Sequence, residues 1–218
     1  MRVYHFVNAE HGLEDLQQRR LKIATLNELN DPFELFGVNL SSESLRRAFK
    51  AMKNQLSVNR GLLCFSRAWH NPVQWSHYAD RHRGLCLGFD VPDEILGTVS
   101  YSRKRLLVDI EHLRSFREHD SDTVQRFLFT KYAHWRYENE VRVFVTLQDR
   151  DPEKQMYFVD FSEQLKLTQV IVGAESTLSR ENVREALGDI HAQIETFKVC
   201  PSFKTFKVIR QRNGKLWS

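Results

Sequence analysis

Short apolar runs recur along this chain at irregular intervals, and they limit what it can become. LLCFS (Leu62–Ser66), LCLGF (Leu85–Phe89), EVRVFVT (Glu140–Thr146), MYFVDF (Met156–Phe161) and VIVG (Val170–Gly173) are rich in Val, Leu and Phe and lie between turn residues, the pattern of strands. Val3–Val7, Leu21–Ala24, Ile194–Val199 and Thr205–Ile209 read the same way, and Val99–Val108 holds one or two more. Helical spacing is found in fewer places. HGLEDLQQRR puts Leu13 and Leu16 on one face, Ser42 or Ser44 caps a helix running to about Val58, and Asn71-Pro72 opens another with Pro72 at its first position. Pro92–Leu96 is a short helical turn, while Ile110–Phe116, Asp122–Ala133 and Ser179–Leu187 complete the helices. Because helices do not alternate regularly with strands, a doubly wound parallel sheet is not expected. The expectation is one α+β domain of mostly antiparallel strands, gathered after the mid-chain helices and flanked by helices. Its core covers about residues 1–173, with a C-terminal helix and strands over 174–218.

With 218 residues, 41% hydrophobic and 28% charged, the chain has enough apolar material for a sizeable core. No apolar run reaches the roughly 18 residues of a membrane helix, and MRVYHFVNAEHG lacks the apolar centre of a signal peptide. Cys64, Cys86 and Cys200 are odd in number and widely spaced, which suits buried thiols in a reducing cytoplasm. The net charge of +4 sets 32 basic against 28 acidic residues, a balance compatible with a nucleotide or nucleic-acid partner without requiring one. GxGxxG and GxxxxGK[ST] are both absent, so no dinucleotide or P-loop fingerprint is present.

Four stretches carry more polar and aromatic weight than packing requires. Tyr4 and His5 sit in the first strand. NDPFE (Asn30–Glu34) combines turn chemistry at Asn30 and Asp31 with Phe33 and Glu34 directly after it. Between Leu62 and Asp90, Trp69, Trp75 and Tyr78 cluster with His70, His77 and His82. Trp75 and Tyr78, three residues apart, share a helix face that either packs on the sheet or offers a platform for a planar ring. The three histidines follow no metal-binding spacing, and no metal is expected. In HWRYENEVRVF, strand alternation puts Glu138, Glu140 and Arg142 on one face. Two carboxylates so placed need a nearby cation. The stripe is therefore a salt-bridge ladder on a solvated face or the charged wall of a site.

Together these stretches resemble a widespread bacterial domain family of unknown function. The resemblance rests on Asn30-Asp31-Pro32-Phe33-Glu34, Cys64-Phe65-Ser66, Trp75 with Tyr78, Gly84-Leu85-Cys86 with Phe89, and Lys131-Tyr132 through Arg142, and it spans Tyr4 to about Gly173. A second, more distant resemblance, in the order of elements, is to the ADP-ribosyltransferase superfamily, whose members split NAD and transfer its ADP-ribose. It implies that His5, with Tyr4 beside it, anchors the nicotinamide ribose, that Phe65 and Ser66 form the middle strand, and that Tyr78, with Trp75, stacks on the ring. It also implies that Glu140 stabilises the oxocarbenium-like transition state and that Glu138 orients the acceptor. Phe6 departs from the Gly or Thr frequent after that histidine, and NDPFE has no clear counterpart there.

The resulting expectation is an NAD-binding, ADP-ribosyltransferase-like enzyme of a bacterial cytoplasm that modifies nucleic acid or protein in a toxin or phage-defence setting. Asn30, Asp31, Phe33, Glu34 and Arg142 would support the site. Two other readings stay open: a nucleotide or nucleic-acid binding module without turnover, toward which Arg67, Arg81 and Arg83 lean, and a metal-dependent nuclease using Asp31, Glu34, Glu138 and Glu140.

Overall fold

The computed structural model describes residues 1–31, 33, 39–106, 126 and 128–217. Strand β1 (Arg2–Val7) leads through Asn8, whose side chain accepts from the His11 amide, into helix α1 (Ala9–Gln18). The helix stops at Arg19, which adopts the left-handed conformation with φ 56°. The Arg19 guanidinium bonds the carbonyls of Leu16, Ala186 and Leu187, tying α1 to the distant α4 (Arg180–Leu187). Next come β2 (Arg20–Thr25), α2 (Glu43–Asn59), β3 (Arg60–Ser66), α3 (Pro72–Tyr78) and β4 (Leu85–Asp90). Helix α2 starts where Ser42 caps the Leu45 amide and buries Phe49, Met52 and Leu56, a stripe at helical spacing.

The strands β5 (Gly97–Thr98), β6 (Ser100–Ser102), β7 (Thr130–Tyr132), β8 (Glu140–Thr146), β9 (Tyr157–Asp160), β10 (Lys166–Val172), β11 (Glu195–Pro201) and β12 (Val208–Arg210) complete the described elements. The architecture is α+β. Among the described residues, ten strands form one sheet in the order β12-β11-β10-β4-β1-β3-β2-β9, with β8 on β3 and β5 on β8, while β6 and β7 form a separate parallel pair. All pairings in the large sheet are antiparallel except β10 with β11. Apolar side chains on both faces bury β4 almost completely, and Leu87 stands between His5 of β1 and Val170 of β10. Gly84, just before β4, is required by space: a Cβ there would lie 2.1 Å from the Val7 carbonyl oxygen.

Three expectations need correction. The strands are not gathered after the mid-chain helices, because β1 and β4 sit at the centre of the sheet. Of the helix expected over Asp122–Ala133, residues 122–125 and 127 lie outside the described residues, and Thr130–Tyr132 are not helical but drawn into strand pairing with Ser100–Ser102, with a 3-10 helix following over Ala133–Glu138. Ser202 folds the segment expected to be the last strand into a turn, so β12 begins only at Val208. The helix expected over Ile110–Phe116 lies outside the described residues. Among those residues, no helix is long and apolar enough to cross a membrane.

Candidate functional site

The cleft forms where two strands part. β1 and β3 pair at one position only, Tyr4 opposite Ser66, and Ser66 in turn stands opposite Glu140 of β8. Past that point β1 is held to β3 by a side chain: His5 Nδ1 lies 3.2 Å from the Cys64 carbonyl oxygen. A carbonyl only accepts, so Nδ1 carries the proton and Nε2 is left as an acceptor. Burial lowers the pKa of His5 and favours this neutral form. The cavity in the gap, about 140 Å³, is lined by Tyr4, His5, Phe65, Ser66 and Tyr78, with Asn30 at its edge and Glu138, Glu140, Arg142 and Lys131 along one wall.

That wall is a closed ion cluster. Lys131 Nζ donates to Glu138 Oε2 at 2.6 Å and to Glu140 Oε2 at 3.2 Å. Arg142 grips Glu140 through Nε at 2.7 Å and Nη2 at 3.0 Å, and its Nη1 bonds the Leu128 carbonyl. All four side chains are buried, Arg142 to 1% exposure, so the stripe is not a solvated face. Two carboxylates and two cations cancel, which is what burial of four charges demands.

The two carboxylates differ in what they have left to offer. A carboxylate has about four acceptor positions. Two bonds from Arg142, one from Lys131 and one from the Cys64 thiol occupy those of Glu140, while Arg142 and Lys131 hold its pKa down to about 2 against the opposing effect of burial. Glu138 receives Lys131 on one oxygen and the Tyr78 hydroxyl on the other, leaving two positions open, and burial raises its pKa. Burial and the adjacent Glu138 push the Tyr78 phenol far up, so it stays a donor, and Asn30 Nδ2 donates to its oxygen at 2.8 Å.

Local folding explains how the wall is assembled. Glu138 is not on the strand: it ends the 3-10 helix, and Asn139, left-handed at φ 47°, turns the chain into β8. Gln74 Nε2 holds the Glu138 carbonyl at 2.8 Å, and the Tyr101 hydroxyl accepts from the Glu140 amide at 2.8 Å. Ser66 spends its hydroxyl proton on the Ala68 carbonyl at 2.9 Å.

Not every expected residue joins the cleft. Trp75 is fully buried against Phe6 and Ala79, its ring N–H donating to the Trp69 carbonyl at 2.6 Å, so it is core and not a stacking platform. Three helical residues subtend about 300°, and in the seven-residue α3 that angle turns Trp75 into the core while Tyr78 faces the cleft. Asp31 is buried and accepts from the Phe33 amide, outside the lining. Phe33 is 55% exposed and borders a neighbouring groove. Glu34 lies outside the described residues. Among those residues, no three His, Cys, Asp or Glu side chains are grouped to hold a metal ion. Lys131, which bridges both carboxylates, shows no sequence signal of that role, because its segment has the spacing of a helix.

Residues 74–143 match DUF2971, a protein family of unknown function. The match bears out the expected family of unknown function over that segment. The matched segment opens at Gln74 and closes one residue beyond Arg142, enclosing Tyr78, Lys131 and both glutamates. Tyr4, His5, Asn30 and Ser66 fall outside it. No curated protein and no solved structure matches the chain.

Proposed function

We propose that the cleft takes NAD as a substrate and that the chain is an ADP-ribosyltransferase-like enzyme acting on a nucleic acid or protein. In that reaction the bond between the nicotinamide nitrogen and C1′ of its ribose breaks, and nicotinamide leaves as a neutral ring with the bonding electrons. An acceptor nucleophile bonds to C1′ and gives up its proton. The observation that carries this reading is the convergence of His5, Tyr78, Glu138 and Glu140 on one mostly apolar cleft.

The cavity is smaller than the roughly 300–1,000 Å³ that encloses a whole ligand. It therefore receives the ring and its ribose and leaves the adenosine end outside. Phe65 and Tyr78 flank the ring, and His5 Nε2 accepts from a ribose hydroxyl. Glu140, saturated by Arg142, Lys131 and Cys64, holds Lys131 and the wall in place, so the negative charge offered to the developing oxocarbenium ion is that of Glu138. Glu138, with open acceptor positions and a raised pKa, takes the acceptor's proton.

Incubation with NAD and measurement of nicotinamide release tests this. Release should exceed the protein-free rate and fall about 100-fold or more in Glu138→Gln. Equal release from the two proteins, with circular dichroism unchanged, overturns the reading. NAD binding by calorimetry without release would leave a binding module.

A further inference from the structure

The described residues hold a second groove next to the cleft, and its walls differ in kind. The parallel pair of β6 and β7 sets Ser102 beside Tyr132 and Tyr101 beside Lys131. Successive strand residues point to opposite sides, so Lys131 reaches inward to Glu138 and Glu140 while Tyr132, 44% exposed, faces out. Directly after β6 the Ser102 hydroxyl accepts from the Lys104 amide and donates to the Lys104 carbonyl, fixing a turn that presents Arg103, Lys104 and Arg105. All three are exposed, and among the described residues none of them makes an ion pair. The groove they line with Phe33, Lys131 and Tyr132 has a volume of about 350 Å³. The Arg105 guanidinium lies 5.5 Å from the Phe33 ring centre, and Tyr132 stacks on His134 at 4.5 Å.

From this we infer that the groove binds a single-stranded nucleic acid, and, resting on the transferase reading above, that such a strand is the acceptor. Three consecutive exposed cations suit a run of phosphates. Exposed aromatic faces among them suit unstacked bases, which a duplex keeps hidden and an acidic peptide lacks. Lys131 lines both groove and cleft, so a strand lying over Tyr132 runs toward the wall that carries Glu138.

Fluorescence anisotropy of the full chain with labelled oligo-dT and oligo-rU, a matched duplex, and polyglutamate as competitor tests this. The single strands should bind best, with log K falling against log salt at a slope of about −2, as expected for three phosphate contacts at about 0.7 each. Arg103→Glu/Lys104→Glu/Arg105→Glu should weaken binding at least about tenfold and flatten that slope. Tyr132→Ala should weaken it about fivefold or more with the slope unchanged, because stacking and not charge is removed. Native-like binding by the triple variant overturns the groove, as does equal affinity for the duplex, or polyglutamate binding more tightly than either strand. Oligonucleotide binding that behaves as stated in a protein that releases no nicotinamide would retain the groove and remove the transferase reading. Nicotinamide release combined with native-like binding by the triple variant would do the reverse.

Discussion

Arg142 is the residue on which the charged wall depends. It is buried to 1% exposure, holds Glu140 through two hydrogen bonds and anchors to the Leu128 carbonyl. Removing one partner of a buried ion pair costs about 3–5 kcal/mol, whereas replacing both by apolar groups is often neutral or stabilising. Arg142→Met should therefore lower the unfolding free energy by that amount, and Arg142→Met/Glu140→Met should recover most of it, as read from urea midpoints. A double variant as unstable as the single one would show that the pair's worth lies in packing. The sequence made Glu138, Glu140 and Arg142 visible as charges of alternating register, and they do meet. It could not show that Glu138 arrives from a 3-10 helix through the left-handed Asn139, nor that Glu140 is saturated with donors while Glu138 is not, since the saturation depends on Lys131 and Cys64 coming from other strands.

Asp15 is a second residue whose environment sets a measurable property. It is buried on α1, and burial raises its pKa from 3.8 to about 7 against the opposing pull of Arg20. Below pH 3.8 both folded and unfolded chains hold the proton, and the group is neutral to stability. Between 3.8 and about 7 only the folded chain holds it, so stability falls as pH rises, and above 7 the loss is complete. At about 1.4 kcal/mol per pKa unit the loss amounts to a few kcal/mol. Asp15→Asn should raise the melting temperature at pH 8 and leave it nearly unchanged at pH 4. A gain of equal size at both pH values would rule out this titration as the cause.

At the scale of elements, the turn after α3 carries strain. Asp80, Arg81 and His82 follow one another in the left-handed region at φ 44°, 54° and 70°, a conformation that costs an L-residue about 1–2 kcal/mol. Backbone bonds from Arg81 to Ser76, from His82 to Trp75 and from Gly84 to Ala79 hold the turn in place, and it delivers the chain into the buried β4. Arg81 is exposed, and Arg81→Gly removes the steric penalty at the expense of about 0.5–1 kcal/mol of chain entropy. The net expectation is a stabilisation of about 0.5–1 kcal/mol, measured by urea unfolding. A destabilised variant would mean that the Arg81 side chain contributes more than its exposure implies. Elements with a strong period, such as α2 and β4, were legible in the sequence. Thr130–Tyr132 was not, because a three-residue strand has too few side chains to display alternation, and its conformation is set by Ser100–Ser102 thirty residues earlier.

For the molecule as a whole, sheet order decides which parts open together. β4 lies between β1 and β10, with six Cα pairs to each, and its side chains are buried on both faces. The α+β class was readable from irregular alternation alone. The order was not, since it depends on β4 meeting β1 from the start of the chain on one side and β10 from its last third on the other. Amides that can exchange only when the central strands separate report global unfolding, whereas short ladders at the margin exchange through local opening. The amides of Cys86–Phe89 and Val170–Val172 should therefore be the slowest to exchange with deuterium and should share one free energy of opening. The amides that pair β6 with β7, a parallel ladder of three residues on each strand outside the large sheet, should exchange much faster. The cleft would then have one wall, at His5, in the most stable unit, and its other wall, at Lys131, in one of the least stable. If Thr130–Tyr132 exchanged as slowly as β4, the two walls would belong to one cooperative unit. The groove and the cleft could then not open independently of the core.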